Sequence, residues 1–200
     1  MTGIENHQLG ADRVRGGRAS GPPDASPQHR IAHWIGGRLD GGSGNDRVGT
    51  VYDPASGAPI AQVTFATKSD VDRAVSSAKA AFTEWGHSTL AKRTTILFRF
   101  RELVHAAADD LARTIVREHG KVLADARGEV QRALEVVEFA CGIPQLIKGE
   151  FSGNVSTEVD SYSIRQPLGV VAGITPFNFP IMVPMWWYPI AIVAGHCFVL

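Results

Sequence analysis

Residues 166–200 read QPLGVVAGITPFNFPIMVPMWWYPIAIVAGHCFVL and contain no Asp, Glu, Lys or Arg. Such an uncharged run indicates either a membrane-spanning segment or the buried centre of a globular domain. Pro176, Pro180, Pro184 and Pro189 divide it into short pieces. Because an interior proline costs a helix about 3 kcal/mol and a spanning helix needs roughly 20 apolar residues, the pattern favours the buried centre.

The pieces of this run predict a strand, a loop, a helix and a second strand. Residues 168–174 are short, apolar and rich in β-branched side chains, which is typical of a central parallel strand buried on both faces. The loop of residues 175–180 leaves the carboxyl end of this strand, where open α/β sheets bind their ligands. We predict a helix over about residues 181–193 and a parallel strand that opens at residues 198–200.

Asn178 is a polar side chain in the middle of this apolar loop. A buried amide without a partner costs about 1 to 3 kcal/mol, so the side chain either locks the loop through hydrogen bonds or serves a ligand. In the second role, its amide could donate to an oxygen on which negative charge develops in a transition state. The loop by itself favours the structural role.

The composition excludes several classes of function. Lysine plus arginine equal aspartate plus glutamate, at 20 residues each, so neither a nucleic-acid partner nor an acidic-tail function is indicated. Cys141 and Cys197 form neither a disulfide framework nor a spacing typical of metal ligands, and we expect no metal and a reducing, cytoplasmic location. The N-terminus lacks the apolar segment of a secretory signal, and we expect no membrane partner.

The N-terminal part of the chain predicts a tail and then a β-hairpin. Residues 1–30 are rich in Gly, Pro, Ser and Arg and nearly lack large apolar side chains, which predicts a disordered tail. Within the structured remainder, residues 31–200, two apolar runs at residues 48–52 and 60–65 flank a Pro/Gly turn and predict a hairpin. Residues 155–165 predict a second extended ribbon.

Four helices are predicted between the hairpin and the ribbon. Ser69 is the expected N-cap of the first helix. Asp109 and Asp110 are expected to cap the third helix, which ends at Gly120. The second and fourth helices cover about residues 92–107 and 123–140.

The fourth helix has a core stripe and a charged face. Val130, Leu134 and Val137 recur at helical spacing and are predicted to face the core. Its charged residues lie off this stripe at spacings that permit i,i+3 ion pairs; they are Arg127, Glu129, Arg132 and Glu135. For Arg132, this spacing favours a solvated salt-bridge partner.

Four segments in order carry a family resemblance: EHGK at 118–121, ARGEV at 126–130, PLGVVAGI at 167–174 and PFNFP at 176–180. In these segments, residues 31–200 resemble the N-terminal part of an NAD-dependent aldehyde dehydrogenase. Within that superfamily the chain is most similar to the CoA-acylating methylmalonate-semialdehyde (malonate-semialdehyde) dehydrogenases. The resemblance implies an α/β fold, namely an incomplete doubly wound, Rossmann-like parallel sheet of the NAD-binding domain, with helices and an N-terminal β-hairpin.

The resemblance also implies roles for individual residues. Asn178 would donate its side-chain amide to the substrate oxygen in an oxyanion hole and so act as a catalytic residue. Arg132 would bind the substrate carboxylate, for which the planar guanidinium fork is suited. The residues expected to line the NAD cofactor are Ile174, Thr175, Pro176, Phe177 and Asn178.

The implied reaction is the NAD-dependent oxidation of a semialdehyde to an acyl-CoA, with CoA as co-substrate. The resemblance also implies that the complete enzyme is a homo-oligomer. The family's cysteine nucleophile and general-base glutamate have no counterpart in these 200 residues. Cys141 ends a helix among apolar neighbours and Cys197 enters a buried strand, so both are expected to be inert. We therefore expect the 200-residue chain alone to be inactive.

Two alternatives stay open from the sequence. One is a non-acylating aldehyde dehydrogenase of the succinate-semialdehyde type, which uses water as the acyl acceptor. The other is a truncated, non-catalytic polypeptide. The preference between NAD and NADP stays open as well.

Overall fold

The computed structural model describes residues 30–42 and 47–200. The disordered tail predicted for residues 1–30 therefore lies outside the described residues, except for its last residue, Arg30. Arg30 belongs to the first strand, β1 (Arg30–Ile31), which pairs in parallel with a strand of the hairpin that follows. The first described residue is therefore the last residue of the predicted tail.

Short strands form two small sheets near the N-terminal end. They are β2 (His33–Ile35), β3 (Arg38–Asp40), β4 (Val48–Tyr52) and β5 (Pro59–Thr64). β2 and β3 pair antiparallel, and β4 and β5 form an antiparallel hairpin with β1 along the edge of β5. The carboxylate of Asp53 accepts the N–H of Ala55 at 2.8 Å and so stabilises the hairpin turn. The predicted hairpin is confirmed.

Four helices follow the hairpin, as the periodicity predicts. They are α1 (Lys68–Trp85), α2 (Leu90–Ala106), α3 (Ala108–His119) and α4 (Leu123–Cys141). The predicted N-cap of α1 is wrong, because Thr67 caps the helix in place of Ser69. Thr67 Oγ1 accepts the N–H of Asp70 at 3.2 Å, and the Asp70 carboxylate accepts the N–H of Thr67 at 2.7 Å. This reciprocal pair satisfies two backbone donors at once, which Ser69 could not do.

The third helix differs from the prediction only at its start. Asp109 and Asp110 lie in its first turn, where negative charge suits the helix dipole, but the cap position is Ala107 and provides no side-chain hydrogen bond. The helix ends as predicted at Gly120, whose φ of 83° is left-handed and favours glycine.

The core lies around α4. Val130, Leu134 and Val137 are at most 3% exposed, which confirms the predicted stripe. The larger of two buried clusters joins this stripe to α2 and to the helix that follows residue 181, and the smaller joins it to α3. The helix therefore packs on three sides, and any polar side chain among its inward positions needs a partner inside the protein.

The ribbon predicted over residues 155–165 is a hairpin that begins earlier in the chain. After a short helix, α5 (Ile143–Leu146), strands β6 (Phe151–Ser156) and β7 (Val159–Tyr162) pair antiparallel. Every residue of both strands is exposed. The start was missed because residues 151–154 combine glycine with polar side chains and lack the strand pattern.

The final run folds into strand, loop, helix and strand as predicted. These are β8 (Val170–Ala172), α6 (Met182–Val193) and β9 (Cys197–Val199), with β8 and β9 parallel. The prediction that β8 is buried on both faces is wrong, because Val170 and Val171 are half-buried and Ala172 is exposed. In the described residues β8 pairs with β9 alone, so no second neighbour covers it. None of the helices in these ranges is long and apolar enough to cross a membrane.

The turn between α6 and β9 is tied to two other parts of the chain. Gly195 has a φ of 102°, and a Cβ there would lie 2.5 Å from the guanidinium of Arg93. Arg93 is buried and donates to the carbonyl of Gly86 at 2.9 Å. His196 Nδ1 accepts the N–H of Leu168 at 3.0 Å, just before β8. The neutral imidazole of His196 therefore holds the entry of one strand to that of the next.

We predict that His196 makes the stability of the protein depend on pH. Partial burial and then the nearby Arg93 cation lower the pKa of His196 below its ordinary value of 6.5. Since the unfolded chain takes up this proton more readily, the stabilisation is present above pH 6.5 and is lost as the pH falls through the lower pKa of the folded state. The melting temperature of the wild type should fall more between pH 7.5 and pH 5 than that of His196→Asn. Equal falls in the two proteins would contradict the assignment.

Candidate active site

The loop of residues 173–180 connects the carboxyl end of β8 to α6 and carries five of the six predicted site residues. Asn178 is exposed, and its side-chain amide makes no hydrogen bond within residues 30–42 and 47–200. It therefore does not lock the loop, and the amide is open to a ligand. Ile174 is 94% exposed and Phe177 is 61% exposed, so the same loop presents apolar surface.

A carboxylate from α4 holds the end of this loop. Glu129 is 0% exposed, and its Oε1 accepts the N–H of Ile181 at 2.9 Å and of Met182 at 3.2 Å. These are the cap position and first residue of α6, and Ile181 has no capping side chain of its own. Negative charge at a helix N-terminus is favoured by the helix dipole.

The prediction that Glu129 lies off the core stripe is therefore wrong, because its side chain is fully buried. Helical spacing separates apolar from charged positions, and it assigns a lone glutamate to solvent unless a partner is known. The partner here is a pair of backbone N–H groups more than fifty positions further along the chain. No signal within α4 indicates them.

Lys121 neutralises the buried carboxylate and also contacts the loop. Its Nζ lies 2.5 Å from Glu129 Oε2, and its side chain is only 12% exposed. The same Nζ lies 4.0 Å from the centroid of the Phe179 ring, a cation–π contact beside Asn178. Removing one partner of a buried ion pair costs about 3–5 kcal/mol, so the two side chains depend on each other.

Arg132 lies one turn after Glu129 on α4 and also lies near the loop of Asn178. Its Nε donates to Met182 Sδ at 3.3 Å, and its guanidinium carbon lies 6.0 Å from the Phe179 ring centroid. The residue is exposed and forms no ion pair with any carboxylate in the described part of the chain. The structure therefore brings Arg132 to the loop of Asn178 and leaves its charge unneutralised.

Arg127 and Glu135 lie off the core stripe, as predicted, and both are exposed. Arg127 pairs with Asp109 at 2.8 Å, and both side chains are more than half exposed. Glu135 accepts from Gln131 at 3.5 Å on the exposed face. Arg132 is thus set apart from Arg127 by its contacts.

His119 supports the loop from α3. Its ring centroid lies 5.8 Å from that of Phe177, and its buried Nδ1 has no hydrogen-bond partner among the described residues. The sequence predicted no site role for His119, Lys121 or Glu129. Their only signal is membership of the EHGK and ARGEV segments, whose spacing reveals neither the ion pair of Lys121 with Glu129 nor the contact of His119 with Phe177.

Neither cysteine belongs to this site. Burial raises the pKa of the Cys141 thiol, an effect that the nearby Arg101 opposes only in part, and burial also raises the pKa of Cys197. Both are therefore poor nucleophiles at neutral pH. Cys141 lies roughly 14 Å further along α4 than Arg132, given about 1.5 Å per residue. No cluster of metal-binding side chains occurs within the described ranges.

We predict that both thiols react slowly in the folded protein. With iodoacetamide at pH 7.5, alkylation should be at least about tenfold slower in the native state than in denaturant, because only the thiolate is reactive. Mass spectrometry of Cys141→Ser and Cys197→Ser would assign the rate to the remaining thiol. A thiol that reacts as fast in the native as in the unfolded chain would refute its assignment as inert.

The parallel strand pair ends in a loop, and side chains of α4 contact that loop, an arrangement in which open α/β sheets bind ligands. Comparison with protein families agrees, since residues 42–200 match the model described as the aldehyde dehydrogenase family. The chain therefore belongs to the aldehyde dehydrogenase family, and the predicted resemblance is confirmed.

Several of the similar proteins are named malonate-semialdehyde or methylmalonate-semialdehyde dehydrogenase. The chain is 48% identical over 170 residues to malonate-semialdehyde dehydrogenase 1 of Geobacillus kaustophilus, covering 85% of this chain and 35% of that protein. The crystal structure of methylmalonate-semialdehyde dehydrogenase from Oceanimonas doudoroffii matches with a TM-score of 0.83 and 49% identity, over 86% of this chain and 35% of that one.

A third similar protein, from Sinorhizobium meliloti, is provisionally described as a methylmalonate-semialdehyde dehydrogenase and was crystallised with NAD. It matches with a TM-score of 0.82 and 42% identity, over 85% of this chain and 34% of that one. These structures confirm the predicted α/β fold class. The chain spans about a third of the length of these proteins.

Proposed function

We propose that the chain is the N-terminal part of an NAD-dependent, CoA-acylating (methyl)malonate-semialdehyde dehydrogenase, which oxidises a semialdehyde to an acyl-CoA. The observation that carries the proposal is the pairing of two open groups around one loop. Asn178 presents an amide with no hydrogen bond in the described chain, and Arg132 presents a guanidinium without an ion pair. A substrate with an aldehyde at one end and a carboxylate at the other matches both.

Each residue has a distinct task in this proposal. Arg132 binds the carboxylate through its planar fork and so orients the substrate. Asn178 donates to the aldehyde oxygen, where negative charge develops once a nucleophile attacks the carbonyl. Neither residue acts as the nucleophile, and the raised pKa values of Cys141 and Cys197 are in keeping with that division.

The loop also fits the proposed cofactor. Ile174 and Phe177 expose apolar side chains at the carboxyl end of β8, with Thr175 and Pro176 between them, and this surface suits the flat ring of a nicotinamide. NAD, when bound, supplies the hydride acceptor of the reaction. The task of these four residues and of Asn178 is to hold and orient it beside the substrate.

The acyl acceptor is the part of the proposal that distinguishes it from a non-acylating enzyme. The protein expressed from its complete gene should convert malonate semialdehyde and NAD to NADH and an acyl-CoA only when CoA is supplied. A free acid formed at the same rate without CoA would favour water as the acceptor. The absence of any aldehyde-dependent NADH would favour a non-catalytic polypeptide.

We predict that Arg132→Ala impairs a carboxylate-bearing substrate selectively. A charged hydrogen-bonding contact contributes about 1.5–3 kcal/mol, so kcat/KM for malonate semialdehyde should fall about 10- to 150-fold more than that for propanal. Arg127→Ala removes an exposed arginine from the same helix and is the matched control. Equal losses for both aldehydes would remove the carboxylate role and leave Arg132 as a surface residue.

We predict that Asn178→Ala lowers kcat by about a hundredfold to a thousandfold, as the loss of an oxyanion donor does elsewhere. The melting temperature should stay close to that of the wild type, because the exposed amide makes no hydrogen bond in the described structure. Asn178→Asp keeps the size of the side chain but lacks the donor, and it should be impaired as well. An active Asn178→Asp variant would contradict the donor role.

A further inference from the structure

Glu129 links the two ends of the proposed substrate site. Its carboxylate holds the N–H groups of Ile181 and Met182, which immediately follow the loop of Asn178. Met182 also accepts a hydrogen bond from Arg132 through its sulfur. One residue at the start of α6 is therefore bound by its backbone to Glu129 and by its side chain to Arg132.

The loop between these contacts has little conformational freedom. Asn178 lies three positions before Ile181, and Pro176 and Pro180, whose rings restrict φ, flank it. The Phe179 ring lies near two cations, with Lys121 Nζ at 4.0 Å and the Arg132 guanidinium carbon at 6.0 Å from its centroid. A shift of the start of α6 relative to α4 would therefore move Asn178 relative to Arg132.

Burial makes this link rigid. Glu129 is 0% exposed and its second oxygen is occupied by Lys121, so the carboxylate cannot turn toward solvent or toward a substrate. Arg132 and Glu129 are one turn apart on the same helix, which fixes the separation of their backbones. Glu129 therefore connects the backbone that carries Arg132 to Ile181, three positions after Asn178.

We propose that Glu129 is a positioning residue that sets the length of the semialdehyde accepted by the site. This inference rests on the proposed function, in which Arg132 binds the carboxylate and Asn178 the aldehyde oxygen. Glu129 touches neither substrate group. It acts by holding the two groups that do at the separation suited to a three-carbon semialdehyde.

The test compares the three-carbon malonate semialdehyde with the four-carbon succinate semialdehyde in the protein expressed from its complete gene. Glu129→Ala removes both acceptor oxygens and should lower the three-carbon to four-carbon ratio of kcat/KM by about tenfold, since small misplacements cost large factors in rate. Glu129→Gln keeps one acceptor oxygen without the charge and should lower the ratio by about threefold. Glu135→Gln makes the same change on the exposed face of α4 and should leave the ratio unaltered.

A double-mutant cycle separates positioning from mere stability. If Glu129 acts through the placement of Arg132, adding Glu129→Gln to Arg132→Ala should not change the ratio any further. Amide exchange in the segment that contains Ile181 and Met182 should be faster in Glu129→Gln than in the wild type. If Glu129→Ala does not fold, the Glu129→Gln protein alone decides.

The outcomes are distinguishable from failure of the proposed function. If Arg132→Ala oxidises semialdehydes as well as the wild type does, the proposed function is refuted before any Glu129 variant is made. A different result would overturn this inference alone. In that case Arg132→Ala impairs the enzyme, while the Glu129 variants have lower melting temperatures but the same three-carbon to four-carbon ratio of kcat/KM as the wild type. Glu129 would then be a buried cap of α6 and nothing more.

Discussion

The site depends on one buried carboxylate at the N-terminus of α6. That helix begins at the half-buried Ile181, which offers no capping side chain to its first N–H groups. Glu129 supplies the acceptor and Lys121 supplies the opposing charge. A buried ion pair of this kind is costly to break and contributes little net stability when intact, so its value lies in the arrangement that it enforces.

That arrangement makes α4 both a core helix and a platform for the site. Its apolar stripe packs against α2, α3 and α6, while residues of its next face hold the loop that carries Asn178. Arg132 is exposed beside the buried Glu129 because one turn of helix is enough to move from the interior to the rim. The rigid part of the fold thus supports a loop whose own side chains, such as Ile174 and Phe177, stay uncovered.

Local chemistry made most of the secondary structure predictable. The hairpin follows from turn residues between two β-rich runs, and the end of α3 follows from Gly120. Two predictions failed because they did not include the groups that surround a residue. Ser69 is wrong as the cap of α1 because Thr67 forms a reciprocal hydrogen-bonded pair with Asp70. A prediction based on one capping residue does not include such a pair. The prediction that β8 is buried on both faces is wrong because apolar composition indicates only a tendency to be buried. It does not show which neighbours cover the strand.

The sequence by itself determined the order of elements, the apolar stripe of α4 and the family, and the family resemblance proposed Asn178 and Arg132 as site residues. These follow from short-range patterns and from motifs that lie within single segments. Only the tertiary structure decided that Glu129 is buried, that Lys121 neutralises it and that Phe179 lies near two cations. The physical reason is that a charge enters the interior only when distant groups satisfy it, and those groups, the first N–H groups of α6, meet the carboxylate only after the chain has folded.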